Sequence, residues 1–288
     1  MTDLLSKDYS EFKNYFETES LKYFDIQLKK YENLELLWKS MQYTFFLDSK
    51  RFRPYLVYLI GKIFKIKFET LFSYALAIEI IHTYSLIHDD LPALDNDDFR
   101  RGQLSNHKVF GEDIALLSGD ALQAEAFYLI SEIKNIEPVQ LLKIIKILAF
   151  KIGPRGMVGG QILDMKVNSD IKLLELQNIH LLKTAYLIES AVIGAAILAK
   201  ANDNQLVNLS NFAINLGIAF QIKDDLLDGL DSDQDYKNYI KVIGLEKTQQ
   251  ELVIKSQLAV TSLVNIQSNL FHISDLESLV QYNIERTK

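Results

Sequence analysis

Apolar residues recur at intervals of three and four along almost the whole chain, a spacing that is typical of amphipathic α-helices. Leu206, Leu209, Phe212, Ala213 and Leu216 show it in one stretch. Only 12 glycines and 4 prolines interrupt the 288 residues, and the alternation that marks strands is hard to find. We therefore predict an all-α protein with few or no strands. The expected helices span 4–31, 33–47, 51–66, 69–91, 113–133, 138–152, 172–200, 203–230, 236–267 and 274–286.

The predicted breaks between these helices are short, and none has the composition of a flexible linker. We therefore expect one domain covering residues 1–288, built as a single orthogonal helical bundle with a central cavity. The breaks fall at Pro92, Gly102, Gly111, Gly153-Pro154, 168–170 and 231–235.

Charge and cysteine content narrow the possible functions. The formal net charge of −7 argues against a nucleic-acid-binding protein, which needs a basic face for phosphate contacts. The absence of cysteine excludes disulfides, thiol catalysis and thiolate-ligated metals. The N-terminus lacks the pattern of a secretory signal, and the longest uncharged apolar stretch, Ser190 to Ala199, is about half of the roughly 20 residues that span a membrane. We expect a soluble cytoplasmic protein with no membrane span and no nucleic-acid partner.

A first acidic cluster follows an apolar helical stretch and runs Asp89-Asp90-Leu91-Pro92-Ala93-Leu94-Asp95. Pro92 should end the helix just after Asp90, which puts the carboxylates at a helix C-terminus, where the helix dipole is also negative. Several anions gathered at that end imply a bound cation. A short turn after Pro92 could bring Asp95 back beside Asp89.

A second cluster, Asp224-Asp225-Leu226-Leu227-Asp228, lies inside another apolar helical stretch. Asp224 and Asp228 are one turn apart on one face, and Gln221 lies on the same stripe. Like charges at that spacing destabilise a helix, and burial makes them costly unless a cation is present. Mg²⁺ fits best because it takes oxygen ligands and is commonly held by one or two carboxylates plus substrate phosphates.

Either cluster alone could equally be a solvated helix end. Two clusters, each after an apolar helix that should face the core, favour the metal because buried charges are paired or metal-bound. Two clusters that face each other could hold several ions, whose remaining ligands would come from a diphosphate.

Basic residues lie close to the first cluster in sequence. Arg100-Arg101 follows it, and Lys50-Arg51-Phe52-Arg53 opens an earlier predicted helix. A lone arginine pair is by default a salt-bridge partner, but at the edge of a magnesium site it favours a diphosphate clamp. His82, two turns before Asp89 on nearly the same face, is either a core histidine or a ligand contact. Gly159-Gly160 is either a packing notch or a point of close backbone approach.

These residues, in this order, resemble the trans-type prenyl diphosphate synthases, specifically the bacterial farnesyl diphosphate synthase branch. The resemblance extends from about Lys50 to the C-terminus and is strongest over Ile80 to Ala126. A single Asp-Asp motif would be weak evidence. Two at this separation are highly specific when Arg-Arg-Gly follows the first and Phe220-Gln221 precedes the second. The resemblance implies the all-α isoprenoid synthase fold and a homodimer.

The resemblance also implies a cofactor and its ligands. It predicts about three Mg²⁺ ions, bound together with the substrate diphosphate. Their ligands would be Asp89, Asp95 and Asp224, with Asp90 and Asp228 assisting directly or through water.

The remaining candidate residues would bind the two substrates. The resemblance assigns the allylic diphosphate to Arg100, Lys183 and Lys237. It assigns isopentenyl diphosphate to Lys50, Arg53, His82 and Arg101. Thr184 and Gln221 would lie beside the allylic carbon where positive charge develops, and with Lys183 they form the predicted catalytic set.

The implied reaction joins isopentenyl diphosphate head to tail with allylic diphosphates such as dimethylallyl and geranyl diphosphate. Magnesium and cationic side chains would neutralise the departing diphosphate, so that the C–O bond breaks to an allylic cation. The isopentenyl double bond would attack this cation, and a proton would then be lost. The candidate residues include no convincing general base, so we expect the released diphosphate to take the proton.

The residues just before Asp89 bear on product length. Ser85 lies one turn back on the same face, so helix geometry supports its facing the growing chain. Tyr84 lies about 140° around an ideal helix, and its role rests on the resemblance. An aromatic residue there, with the Pro92-Ala93 insertion, resembles enzymes that stop at fifteen carbons. This predicts farnesyl diphosphate, with geranyl or geranylgeranyl diphosphate as the alternative product.

Two departures from the family pattern bear on activity. Asp48-Ser49 replaces the usual Gly-Gly before Lys50, which predicts weaker binding of isopentenyl diphosphate because the backbone is stiffer and a negative charge is added. The loop from Gly229 to Tyr239 is shorter than the family's Gly- and Lys-containing loop, and Lys237 would retain its end. The C-terminal Arg286 and Lys288 could compensate by folding over the cavity.

Two other functions compete with the synthase. A class I terpene cyclase also ionises an allylic diphosphate with magnesium, but its second motif normally interleaves Asn or Asp, Ser or Thr, and Glu. The other is a non-catalytic helical partner subunit of a prenyl synthase; the intact acidic motifs argue against it, while the shortened loop after Asp228 leaves it open.

Tyr84→Ala should lengthen the product, because loss of the ring opens the floor expected below the first acidic cluster. Product chain length, measured by chromatography after incubation with isopentenyl and geranyl diphosphates, checks this. A variant whose longest product equals that of the parent would show the floor assignment to be wrong.

Overall fold

The computed structural model describes residues 3–167, 170–229, 237–264, 266 and 273–287. Within them the only strands are Phe99–Arg100 and Gln103–Leu104, which form a short antiparallel hairpin. The prediction of an all-α protein is confirmed. The helices are α1 Asp3–Lys30, α2 Glu35–Phe45, α3 Phe52–Ile63, α4 Phe68–Asp89, α5 Asn106–Phe110, α6 Glu112–Ser131, α7 Pro138–Ile152, α8 Met157–Met165, α9 Leu173–His180, α10 Tyr186–Leu198, α11 Asp203–Asp228, α12 Tyr239–Ile243, α13 Leu245–Val264 and α14 Ser274–Glu285.

Most helix bounds agree with the periodicity to within a few residues, but three details differ. The predicted helix 172–200 contains a π-helical turn at Leu181–Ala185, between α9 and α10. The predicted helix 236–267 is divided at Gly244, whose φ of 84° ends α12 before α13 begins. Helices α5 and α8 are short elements that the periodicity did not indicate. The predicted breaks at 168–170 and 231–235 fall mostly outside the described residues.

The described chain divides into two compact units. The N-terminal unit comprises Ser6–Tyr58 and Phe68–Ile136. In it α4 packs along α6, and α2 contacts both. Helix α4 is apolar on nearly all sides, which explains why most of its side chains are buried. The single domain and central cavity expected from the sequence stay predictions.

Close packing of α4 on α6 depends on Gly119 of α6. A Cβ at this position would lie 2.0 Å from Nε2 of His88 on α4. His88 uses the space to approach the Leu116 carbonyl oxygen at 3.0 Å. Gly119 therefore brings the last turn of α4, which carries the first acidic cluster, against α6.

Aromatic side chains attach α1 to the N-terminal unit. Phe12 stacks on Phe16 with ring centroids 5.8 Å apart and packs against Tyr55 at 5.1 Å. All three rings are almost fully buried. Large aromatic side chains bury much apolar area, so they contribute strongly to holding a long amphipathic helix in place.

The C-terminal unit contains residues 3–5, 59–67 and the described residues after 136. Helix α11 packs against α13, α10 and the π turn, while α10 packs against α7. Helix α10 is apolar on all sides and buried for most of its length. Close contact between α11 and the π turn depends on Gly217, where a Cβ would lie 2.6 Å from Cα of Ala185.

Two helical stretches in the described chain are long and apolar enough to cross a membrane, Phe68–Asp89 and Leu173–Leu198. The core helices of globular proteins pass the same test. In both stretches, 67% of the most apolar window is buried inside the protein. Their hydrophobicity is thus accounted for by packing in the core.

Gly217→Ala should destabilise the protein by about 1–3 kcal/mol, because the added methyl meets the backbone of Ala185 and cannot be relieved by a rotamer change. Urea denaturation measures the free energy of unfolding. Asn211→Ala, on an exposed face of the same helix, is the matched control and should change stability little. A Gly217→Ala variant at least as stable as the parent would contradict this packing.

Candidate active site

The turn after α4 folds the first acidic cluster back on itself. Helix α4 ends at Asp89, and the Asp95 amide donates to the Asp89 carbonyl oxygen at 2.9 Å. The Asn96 amide donates to the Leu91 carbonyl oxygen at 3.1 Å, with Asn96 at φ 55°. These bonds satisfy carbonyl groups at the end of the helix. The turn after Pro92 therefore returns Asp95 to Asp89, as expected.

Asp90 points into the protein, unlike the exposed Asp95. Asp90 is 1% exposed, and Arg100 Nε donates to its two carboxylate oxygens at 2.9 and 3.2 Å. Burial raises the pKa of Asp90, and the bond from Arg100 offsets only part of the rise. Arg100 also reaches Asp97 at 3.3 Å. Asp90 thus orients Arg100, and its predicted role in metal binding stays a prediction.

Four arginines surround His82 in the N-terminal unit. The pKa of His82 lies well below its usual value, first because the partly buried ring is desolvated and then because Arg53, Arg101, Arg51 and Arg100 repel its protonated form. The ring is therefore neutral near pH 7. Arginine guanidinium groups and a neutral imidazole offer N–H donors that suit an anion.

Arg51 is used differently from the other three arginines. Its side chain is 1% exposed, and its nitrogens lie 3.1 Å from carboxylate oxygens of Glu17 and Glu79. The guanidinium also lies over the Phe45 ring, 4.7 Å from the centroid. This buried network makes Arg51 a structural residue, which agrees with its omission from the predicted substrate contacts.

The segment before α3 places Lys50 at the surface. Tyr9 donates its hydroxyl to the Lys50 carbonyl oxygen at 2.6 Å, which fixes the backbone there. The neighbouring Asp48 carboxylate is exposed and lies 3.4 Å from Nζ of Lys13. An exposed pair of this kind contributes little. The expected effect of Asp48 on substrate binding stays a prediction.

The π turn between α9 and α10 carries two of the three predicted catalytic residues. The Thr184 hydroxyl donates to Oε1 of Gln221 at 2.6 Å, and the Gln221 amide reaches an Asp224 carboxylate oxygen at 3.5 Å. The π turn thus brings Thr184 beside the stripe of α11 that carries Gln221 and Asp224. Such turns inside helices occur frequently at functional sites. The apolar periodicity predicted one continuous helix over 172–200 and did not indicate this turn.

Lys183 and Lys237 meet at one carboxylate. Lys183 Nζ lies 2.7 Å from Oδ2 of Asp164, and Lys237 Nζ lies 3.3 Å from Oδ1 of the same residue. The structure thus unites two lysines that the sequence separates by more than fifty residues. The rest of the shortened loop, 230–236, lies outside the described residues. Asp164 was not among the residues predicted for the site.

Arg286 closes the other side of Asp224. Its guanidinium is buried, 2.5 Å from Oδ1 of Asp224 and 3.0 Å from the Phe220 carbonyl oxygen. It also lies over the Phe220 ring at 4.3 Å. Arg286 therefore neutralises Asp224, one of the predicted metal ligands. Lys288 lies outside the described residues.

The other two aspartates of the second cluster have separate positions. Asp225 is buried and accepts from the Tyr239 amide at 2.7 Å. The Asn238 side chain donates to the Asp225 and Gly229 carbonyl oxygens, both at 3.1 Å. Asp225 and Asn238 thus join the end of α11 to the start of α12, whereas Asp228 is exposed at the last residue of α11.

The residues predicted to set product length occupy one turn of α4. Tyr84 is 5% exposed, its ring packs edge-on against His88 at 5.8 Å, and burial raises its pKa to about 12. Ser85 donates its hydroxyl to the His82 carbonyl oxygen at 2.8 Å. Their effect on product length stays a prediction.

The donor atoms fit magnesium held together with a diphosphate. In the described parts of the chain, no three Asp, Glu or His side chains converge closely enough to hold a metal ion. The candidate donors, Asp89, Asp95, Asp224 and Asp228, are all carboxylates. Mg²⁺ commonly takes one or two carboxylates and completes its shell with phosphate oxygens and water. The residues therefore suit a metal that arrives with its substrate.

An all-α fold with two acidic helix ends, each beside basic side chains, is suited to binding diphosphate esters with divalent cations. Comparison with known proteins identifies the family. The polyprenyl synthetase family matches residues 34–243. The chain therefore belongs to this family, and the resemblance to prenyl diphosphate synthases is confirmed.

Individual relatives cover most of the chain. A dimethylallyltranstransferase from Fischerella ambigua is 38% identical over 268 residues, covering 88% of this chain and 77% of that protein. A farnesyl diphosphate synthase from Micrococcus luteus is 39% identical over 266 residues, covering 88% of this chain and 90% of that protein. A solved FPP/GFPP synthase from Zymomonas mobilis is 33% identical, with a TM-score of 0.87 over 96% of this chain and 99% of its own.

His180, which lies near Asp164 and Lys183, makes the stability of the protein depend on pH. It is buried at the end of α9, and its ring lies 5.4 Å from that of Tyr239. Burial lowers the pKa of His180 to about 4, while nearby Asp164 acts in the opposite direction and Lys183 in the same direction. The folded protein therefore keeps this imidazole neutral well below pH 6.5.

The free energy of unfolding should fall as pH falls from about 6.5 towards 4, because in this range His180 binds a proton in the unfolded chain but not in the folded chain. At pH 5 the loss from this residue should be about 2 kcal/mol. Urea denaturation of the parent and of His180→Phe, each at pH 7 and pH 5, measures it. Equal pH dependence in both proteins would contradict the assignment.

Proposed function

We propose that this protein is a magnesium-dependent prenyl diphosphate synthase that condenses isopentenyl diphosphate head to tail with allylic diphosphates, mainly to farnesyl diphosphate. The observation that supports this most strongly is the connected set of Lys183, Thr184, Gln221 and Asp224 in the C-terminal unit. The π turn and α11 hold these four residues side by side.

The basic cluster of the N-terminal unit is assigned to isopentenyl diphosphate. Arg53 and Arg101 supply guanidinium donors that match phosphate oxygens. His82 is neutral, so it donates one N–H without adding a charge that the arginines would repel. Lys50 at the surface adds a positive charge for the incoming anion.

The allylic diphosphate is assigned to Arg100, Lys183 and Lys237. Arg100 is oriented by the buried Asp90, and the two lysines share Asp164. These cations neutralise the charge that builds on the diphosphate as it leaves, and such electrostatic stabilisation is often the largest contribution to catalysis.

Magnesium, when bound at Asp89, Asp95, Asp224 and Asp228, supplies Lewis-acid neutralisation of the diphosphate, with about three ions expected in all. The contact between Arg286 and Asp224 holds that carboxylate in charge balance. Asp90 is expected to assist directly or through water, in addition to orienting Arg100.

Thr184 and Gln221 are assigned to the developing allylic cation. The Thr184 hydroxyl donates a hydrogen bond to Gln221 Oε1. The lone pairs of the hydroxyl oxygen are therefore available to face positive charge. The isopentenyl double bond attacks this cation to form the new C–C bond. The proton lost at the end goes to the released diphosphate, because none of the three proposed catalytic residues is a free base. Lys183 is ion-paired with Asp164, and the side chains of Thr184 and Gln221 carry no basic group.

We also propose a product, an assembly and a location for the enzyme. Relatives carry the names farnesyl diphosphate synthase and FPP/GFPP synthase, which supports farnesyl diphosphate with geranyl or geranylgeranyl diphosphate as alternatives. Helix α6 exposes Leu116, Leu117 and Tyr128, an apolar surface that suits a homodimer. A cytoplasmic enzyme agrees with the substrates, which are small and anionic.

The purified protein, incubated with Mg²⁺, isopentenyl diphosphate and dimethylallyl diphosphate, should release farnesyl diphosphate, and a chelator should abolish turnover. Asp224→Asn should lower kcat by about a hundredfold or more, because the diphosphate loses a metal-binding carboxylate. Asp203→Asn, exposed in the first turn of the same helix, is the matched control. A cyclic hydrocarbon from dimethylallyl or geranyl diphosphate alone would indicate a terpene cyclase, and no product without a second protein would indicate a partner subunit.

A further inference from the structure

Helix α8 lies directly against the π turn that carries Lys183. A Cβ at Gly160 would lie 2.6 Å from the Lys183 backbone nitrogen and 3.0 Å from its Cα. Only glycine permits this approach, because the nearest atom that a Cβ would meet, the Lys183 nitrogen, belongs to the backbone and cannot move aside as a side chain could. Gly160 therefore places the next turn of α8, which carries Asp164, within reach of the Lys183 side chain.

Asp164 is a buried anion between two more exposed cations. Its side chain is 12% exposed, against 30% for Lys183 and 41% for Lys237. Each of its carboxylate oxygens takes one lysine, at 2.7 and 3.3 Å. The carboxylate therefore sets the separation of the two ammonium groups. An ammonium carries three N–H donors, so one bond to Asp164 does not exhaust it.

Gln161 marks the same face of α8 as a place for a polar ligand. It lies one turn before Asp164, and both polar atoms of its side chain are buried without a hydrogen-bond partner in the described residues. Leaving a buried amide unpaired costs about 1–3 kcal/mol per group. Such groups call for a partner that arrives from outside the chain.

We propose that Asp164 is a positioning residue for prenyl transfer, holding Lys183 and Lys237 as a preformed two-lysine clamp for the allylic diphosphate. This inference rests on the proposed function. A clamp already set at the right separation loses little freedom when the diphosphate binds, which strengthens binding and speeds ionisation. A carboxylate that only balanced the lysines' charge would instead compete with the diphosphate.

The direction in which the KM for geranyl diphosphate changes when Asp164 is replaced distinguishes a positioning role from simple charge balance. Asp164→Asn keeps the shape but replaces one acceptor oxygen with an N–H donor, which repels one of the two lysines. The KM for geranyl diphosphate should rise about tenfold while the KM for isopentenyl diphosphate stays within about twofold. Asp164→Glu retains two acceptor oxygens and should recover part of the loss. A lower KM for geranyl diphosphate, or equal rises for both substrates, would overturn the proposal.

Glu189→Gln is the matched control, because Glu189 forms another buried carboxylate–lysine pair in the same unit. Its side chain is 8% exposed and is paired with Lys151, and Ser210 donates to it at 2.7 Å. This variant should lose stability in urea yet keep both KM values. A change in the KM for geranyl diphosphate equal to that of Asp164→Asn would show that general loosening explains both.

Calorimetry with Mg²⁺ and inorganic pyrophosphate tests the clamp without turnover. The parent should bind pyrophosphate about tenfold more tightly than Asp164→Asn does. If this difference is found but the parent forms no prenyl product, the proposed function fails and the clamp stands. If the parent forms product but Asp164→Asn binds pyrophosphate as tightly as the parent, the clamp alone fails.

Discussion

Buried ion pairs inside each of the two compact units hold the charged side chains of the candidate site in place. Both units gather charged side chains, and in each a buried carboxylate is paired with cations. Asp90 is paired with Arg100 in the N-terminal unit, and Asp164 with Lys183 and Lys237 in the C-terminal unit. Removing one partner from such a pair is costly because it leaves an uncompensated charge out of water. The pairs therefore fix in place the cations that we propose as diphosphate ligands, Arg100, Lys183 and Lys237.

In the C-terminal unit, two glycines allow the helices around the π turn to approach it closely. Gly160 and Gly217 let α8 and α11 approach the π turn from two neighbouring helices, at distances that a Cβ would forbid. Because the π turn carries Lys183 and Thr184, the two glycines determine where both side chains lie. The positions of these two side chains thus depend on glycines, which have no functional group themselves.

Much of the fold, and the backbone of the first acidic cluster, could be predicted from the sequence. Helical periodicity reports burial over many residues, so the long helices were found. Pro92 restricts the backbone locally, so the end of α4 and the return of Asp95 could be predicted. The glycine at position 244 is itself a signal for a helix end, but the helical apolar pattern continues on both sides of it, so the division between α12 and α13 was missed. Helices α5 and α8 are too short for periodicity to indicate, and packing decides them.

The sequence by itself determined the helical class, the positions of both acidic motifs and the family to which they belong, because each depends on residue type and spacing along the chain. Only the tertiary structure decided which charges meet. Lys183, Lys237 and Asp164 converge, Arg286 reaches Asp224, and Asp90 turns inward to Arg100. These contacts join residues that are distant in sequence or lie across a turn, and they depend on how closely the backbones approach. Spacing along a chain does not encode that distance.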